Sequence, residues 1–189
     1  MNNKILIPLM FILILTSCSL PNRLEEQSQS ETYALYHNIF YHQYSNQLHL
    51  FSDILSSLMK EPLNEAELAY IQGKIEGYSE NTWFVFYALN RGDSPSLDLA
   101  VPAELRSSIY DLITLTNSVM DGVSREIDTH KKWTVAKDNQ ELMIDVIRLC
   151  QDLNVPSSYL KDEQNRADYE ERLQQALMKI KELQGILEN

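Results

Sequence analysis

Three of the chain's four histidines, His37, His42 and His49, fall within one short segment, and neutral imidazole is a common zinc ligand. Ligands of a single zinc each sit about 2 Å from the metal. If the segment is a helix with Phe40 at the centre of its apolar side, a turn of 100° per residue puts His42 and His49 on the opposite side. They are then seven residues apart, or ~10.5 Å along the axis. That distance is too great for one ion, and His37 points elsewhere. Glu126 and His130 share a helical face at i, i+4, but the sequence has no HExxH and no paired ExxH to complete a site. The residues therefore assign no metal and no cofactor. Nucleophilic chemistry fares no better, because there is no G-x-S-x-G, Walker loop or dinucleotide fingerprint. Arg91-Gly92-Asp93 spells an adhesive tripeptide, yet a glycine ending a helix accounts for it structurally. Asp168, Glu170 and Glu171 read as the solvated side of a last helix, with Asp168 and Arg172 as an i, i+4 ion pair. No catalytic residue follows, and the reading leans away from an enzyme.

The two cysteines say more. Cys18 stands just after an apolar run, Ile5 to Leu15, which follows a polar start carrying Lys4. Eleven residues interrupted by Pro8 fall short of the ~20 needed to span a bilayer, but they suit the apolar core of an export signal. Leu15-Thr16-Ser17-Cys18 resembles the lipobox of bacterial lipoproteins, in which a branched apolar residue and two small residues precede cysteine. The resemblance implies cleavage between Ser17 and Cys18, with diacylglycerol on the Cys18 sulfur and membrane lipid as the partner of that residue. Two acyl chains anchor stably where one does not. Residues 1–17 are thus expected to be a signal peptide. Ser19 occupies the place of the Asp that, in such lipoproteins of double-membraned bacteria, commonly retains them at the inner membrane. The expected location is the outer membrane of such a cell, or the outer leaflet of a single-membrane one.

With Cys18 acylated, Cys150 has no internal disulfide partner. It lies beside Ile147 and Leu149, where it reads as a small buried hydrophobe. The mature chain carries 15 basic against 27 acidic residues, a net charge of −12. Such a surface excludes nucleic acid and anionic headgroups as partners. Five glycines and six prolines among 189 residues are too few for a turn-rich β-sandwich.

Apolar spacing then supplies the elements. Residues 18–31 are polar without sustained period and read as a lipid-anchored flexible tether, of which residues 19–31 reach at most ~45 Å when extended. The domain, 32–189, is expected to be an all-α antiparallel bundle of about five helices. The first stripe runs Tyr33, Tyr36, Phe40, Tyr44, Leu48, Phe51, Leu55, Leu58 and stops at Pro62. Asn64 with Glu67 forms a capping-box start for Leu68, Ile71, Ile75, Tyr78, Thr82, Val85 and Leu89. Pro102 opens a third helix with Leu105, Ile109, Leu112, Thr116, Val119, Val123 and Ile127. Residues 129–137 lack a clean period and read as a frayed end or connector. Asp138 and Glu141 repeat the cap spacing before Leu142, Val146, Leu149 and Leu153. Tyr169, Leu173, Ala176, Ile180, Leu183 and Leu187 complete the set.

The second helix breaks the one-face rule. Ala66, Ala69, Gly73, Gly77, Phe84 and Tyr87 form a second small-to-aromatic face, and the stretch 81–89 is apolar nearly all round. That pattern reads as a central helix with Gly73 and Gly77 admitting close neighbours. The alternative makes Trp83, Phe84 and Tyr87 a candidate partner surface. The leading functional expectation is a membrane-anchored interaction or accessory protein at the cell envelope, with an unknown envelope protein as partner. The runner-up is a bundle that binds a small molecule or metal.

Overall fold

The computed structural model describes residues 20–60, 63–90, 101–130 and 132–188, without the side chains of 20–33, 35–36, 39, 82–90 and 136–137. Five long helices cover most of this: α1 (Leu20–Leu58), α2 (Glu65–Asn90), α3 (Ala103–His130), α4 (Gln140–Asp152) and α5 (Glu163–Leu187). A single helical turn, Val135–Asp138, precedes α4, and a 3-10 turn, Tyr159–Lys161, precedes α5. No strand occurs among the described residues, and no described helix is long and apolar enough to cross a membrane.

Where their side chains are described, the stripes are largely what the bundle buries, with Leu149 and Leu187 only partly covered, while Tyr33, Tyr36, Thr82, Val85 and Leu89 lie outside the described side chains. Phe40, Tyr44, Leu48, Phe51, Leu55 and Leu58 of α1 are all inside, as are Leu68, Ile71, Ile75 and Tyr78 of α2. The whole α3 stripe is buried, from Leu105 to Ile127, and so are Tyr169, Leu173, Ala176, Ile180 and Leu183 of α5. Helix α4 contributes Leu142, Met143, Val146 and Cys150. At the α1–α2 turn the capping box forms in both directions. Asn64 N–H donates to Glu67 Oε2 at 2.8 Å, and Glu67 N–H donates to Asn64 Oδ1 at 3.0 Å.

Each helix packs chiefly on two others, closing a ring in the order α1–α2–α3–α5–α4. Successive helices alternate in direction, and an odd ring of alternating helices must contain one parallel pair. That pair is α3–α5, where Ser108 meets Gln174 and Ser118 meets Gln184 at an unchanged offset of 66 residues. At their lower ends Gly122 admits α5 closely: a Cβ there would lie 3.1 Å from Leu187 Cβ.

Four details differ from the sequence expectation. Helix α1 begins at Leu20, so residues 20–31 of the expected tether are helical. Pro21 is tolerated because the first turn needs no N–H from it, and the residues after it up to Leu58 include no Gly or Pro. The N-cap of α4 is Asn139 rather than Asp138, without a side-chain cap bond, because Asp138 closes the preceding turn. Asp162 caps α5 instead, accepting from Asn165 N–H at 3.1 Å. Within the connector 131–134, Trp133 is buried in the core and pins a segment that had no periodic signal.

The fourth correction concerns α2, which lies on the ring between α1 and α3 and is not central. Ala66, Ala69, Gly73 and Gly77 are exposed, and nothing lies within 4 Å of a Cβ built at either glycine. Their face meets water, not another helix.

Candidate functional site

Among the described residues, three polar bridges join helices inside the ring, while Ser52 Oγ and Trp133 Nε1 are buried without a hydrogen-bond partner. Tyr44 and Tyr169 hydroxyls meet at 2.8 Å, joining α1 to α5 across 125 residues of sequence. Phe40 stacks on the Tyr44 ring at 5.8 Å between centroids. The Tyr78 hydroxyl donates to Thr116 Oγ1 at 2.7 Å, and the Thr116 hydroxyl donates in turn to the Ile113 carbonyl at 3.0 Å. Asn81 Nδ2 donates to Gln47 Oε1 at 2.7 Å between α2 and α1. Each bridge pairs polar atoms that would be costly to bury alone, so a slipped helix would orphan them. These are devices of register.

Around the tyrosine pair several buried titratable groups influence each other, with Cys150 close enough to matter. Burial pushes the Cys150 thiol up to about 12. Burial first, then the neighbouring Tyr169, raises Tyr44, and burial raises Tyr169 against the lowering influence of its bond to Tyr44. All three groups hold their protons, so none is a base or a ready nucleophile at neutral pH. The expectation for Cys150 as a buried small hydrophobe agrees with this environment.

On the surface the most connected cluster joins the 3-10 turn to α4 and α5. Arg172 Nη2 reaches the Tyr159 hydroxyl at 2.8 Å and Asp168 Oδ2 at 2.5 Å, while Nη1 donates to the Asp152 carbonyl at 2.9 Å. Tyr159 donates to Asp168 Oδ2 at 2.7 Å, and the guanidinium lies over its ring at 5.5 Å. The bond from Tyr159, and then the charge of Arg172, hold the Asp168 carboxyl below its ordinary value. The i, i+4 pair read from sequence is present, and it belongs to a clamp on the end of α4 that the sequence did not indicate. A second ion pair, Lys74 Nζ to Asp53 Oδ2 at 2.7 Å, ties α2 to α1, and Lys74 also lies over the Tyr70 ring at 4.7 Å. Its hydrogen bond to Asp53 raises the Lys74 ammonium above its usual range.

The residues singled out from sequence do not converge. His42 and His49 are exposed and His37 is half-buried, as the helical wheel requires. Glu126 and His130 face each other at 3.6 Å on the last turns of α3. Among the described residues, no three or more His, Cys, Asp or Glu come together in a metal-sized group. Ser17, Cys18 and Arg91-Gly92-Asp93 lie outside the described residues, as do the side chains of Trp83, Phe84 and Tyr87, whose backbone forms the last turns of α2.

Apolar surface does remain. Tyr70 is 65% and Met178 62% exposed. Met178, Leu177 and Leu115 line a shallow groove over the parallel α3–α5 pair, with Asp111 and Lys181 at its edges. Ile144, Ile147 and Met59 line another between α4 and the end of α1. Neither groove encloses converging polar groups of the kind a small-molecule site uses to fix orientation. The chain matches no protein-family model, no curated protein and no solved structure.

Proposed function

We propose that this chain is a bacterial lipoprotein: an acyl-anchored helical bundle that serves as a non-enzymatic interaction or accessory subunit at the cell envelope. The observation that carries the reading is the order Leu15-Thr16-Ser17-Cys18 behind an eleven-residue apolar run. It puts the lipid at the start of the mature chain, two residues before α1 begins at Leu20. Support for an interaction role comes from the interior, where each polar bridge ties helices together. It also comes from the contiguous apolar groove that Met178, Leu177 and Leu115 line over the α3–α5 pair. The net charge of −12 on the mature chain directs the search for partners towards proteins and away from nucleic acid.

Metabolic labelling with a radioactive or clickable fatty acid tests the anchor. Wild-type chain takes up label and is processed, whereas Cys18→Ala stays unlabelled at precursor length. Processing and labelling that continue in Cys18→Ala overturn the lipoprotein reading. Crosslinking in intact cells, followed by membrane solubilisation and capture, tests the role. A stoichiometric envelope protein supports it, and a co-purifying metabolite or metal with no protein replaces it by a ligand-binding bundle.

A further inference from the structure

We infer that the first part of α1 is a stiff stalk that carries the bundle away from its anchor, and that the lipid end of this inference rests on the lipoprotein reading above. The register of the bundle fixes where the stalk begins. Gln47 pairs with Asn81 and Asp53 with Lys74, so the end of α2 at Asn90 lies beside about residue 38 of α1. Tyr44 meets Tyr169, which brings the start of α5 at Glu163 to about the same level. Tyr78 meets Thr116, which puts the start of α3 at Ala103 level with Asn90. The described ends of three helices are therefore flush near residue 38, while α1 continues back to Leu20. At 1.5 Å per residue, residues 20–37 extend about 27 Å beyond that level.

Exposure and sequence agree with this register. Ala34 and Asn38 are exposed, and Phe40 is the first buried α1 residue among those with described side chains. From Leu20 to Thr32 the sequence is LPNRLEEQSQSET, with no apolar stripe to lay against a neighbour. The apolar stripe of α1 opens only at Tyr33, so the stripeless part, residues 20–32, suits solvent on every side. The consequence is directional: the bundle end that carries the last turn of α2 and the α4–α5 connection faces the membrane across a gap. The α1–α2 turn then lies about 58 Å from Leu20, the length of a 39-residue helix. A flexible tether of the same residues would let the bundle touch the lipid, whereas a stiff one keeps it clear.

The test uses the full acylated chain in phosphatidylcholine–phosphatidylglycerol vesicles. Spin labels at Gln27→Cys and His42→Cys, 15 residues apart, should give one narrow distance near ~22 Å by pulsed electron resonance. Replacing residues 28–33 with alternating glycine and serine should broaden that distribution. A wild-type distribution as broad as the glycine–serine variant's overturns the stalk. Standoff is read by energy transfer from a dye at Ser158→Cys, on the α4–α5 connection, to headgroup-labelled lipid. Deleting residues 21–31, about three whole turns, shortens the stalk by ~16 Å without rotating the bundle far, and transfer should rise several-fold. Unchanged transfer overturns the standoff. Vesicle flotation separates the two readings: a narrow distance in a chain that neither floats nor carries acyl label keeps the helix and overturns its role as a membrane spacer.

Discussion

Gly73 and Gly77 sit one turn apart in the middle of α2, on its exposed face, and each carries the backbone entropy cost of glycine in a helix. Alanine is about 0.8–1.0 kcal/mol more favourable than glycine at such positions. The usual offset is steric, since a glycine kept for close helix approach has no room for a methyl group. Here nothing lies within 4 Å of a Cβ at either position. The added methyl groups also remain in water, so burial contributes little. Gly73→Ala and Gly77→Ala should each stabilise the chain by about 1 kcal/mol. For a chain of this size the melting temperature should rise by about 2–4 °C per substitution. Gly122→Ala is the control. The same gain in propensity is there set against a Cβ 3.1 Å from Leu187 Cβ and 3.3 Å from its Cδ1. It should therefore be less favourable than either α2 variant. Urea and thermal melts followed by circular dichroism measure all three. If Gly73→Ala or Gly77→Ala destabilises, another helix covers that face and the placement of α2 on the outside of the ring is refuted.

Leu112→Asp should cost several kcal/mol in the same melts, because Leu112 is fully buried and a carboxylate there has no counter-charge on its stripe, whereas His42→Ala on the exposed face should change stability by less than about 0.5 kcal/mol. Cys150 should resist thiol reagents until the chain unfolds. Its folded value near 12 exceeds the ordinary 9.0, so the unfolded chain releases the proton first. Stability from this group is complete below pH 9 and lost as pH rises towards 12, with a slope of up to ~1.4 kcal/mol per pH unit that Cys150→Ala should remove. Tyr159→Phe should move the Asp168 carboxyl titration, followed by NMR, upward towards the ordinary range, since the Tyr159 hydrogen bond is the largest influence holding it down; an unmoved midpoint would assign the effect to Arg172 alone.

The sequence made some of this fold legible because the relevant information is local. Helical periodicity places Leu105 through Ile127 on one side, and burial against any neighbour satisfies that pattern. The Asn64–Glu67 box is likewise closed within three residues, and both of its hydrogen bonds form. Partner identity is another matter. Nothing near Tyr44 in the chain names Tyr169, and nothing near Arg172 names the Asp152 carbonyl that it clamps from 20 residues away. The ring order, with α5 inserted between α3 and α4, has the same character. Five alternating stripes are compatible with several orders, and packing chooses between them.

The two larger misreadings, Gly73–Gly77 and residues 20–31, share one cause. Each took a local feature as a statement about surroundings. Small residues at i, i+4 permit a close neighbour but do not supply one, and on α2 the space is solvent. Missing periodicity at 20–31 means that no face is buried; it does not mean that no helix forms. Nucleation is the costly step in making a helix, however, and the core-packed part of α1 from Phe40 to Leu58 already supplies the nucleus. Extension backwards then costs little per residue while no glycine or interior proline intervenes. Pro21, in the first turn, marks where that extension can end without losing a needed N–H. This makes the candidate functional region an issue of placement rather than of motif. Under the lipoprotein proposal, with the interior bridges Tyr44–Tyr169, Tyr78–Thr116 and Gln47–Asn81 engaged in register, the interaction surface falls on the outside of the ring. Its distance from the lipid would then be set by α1.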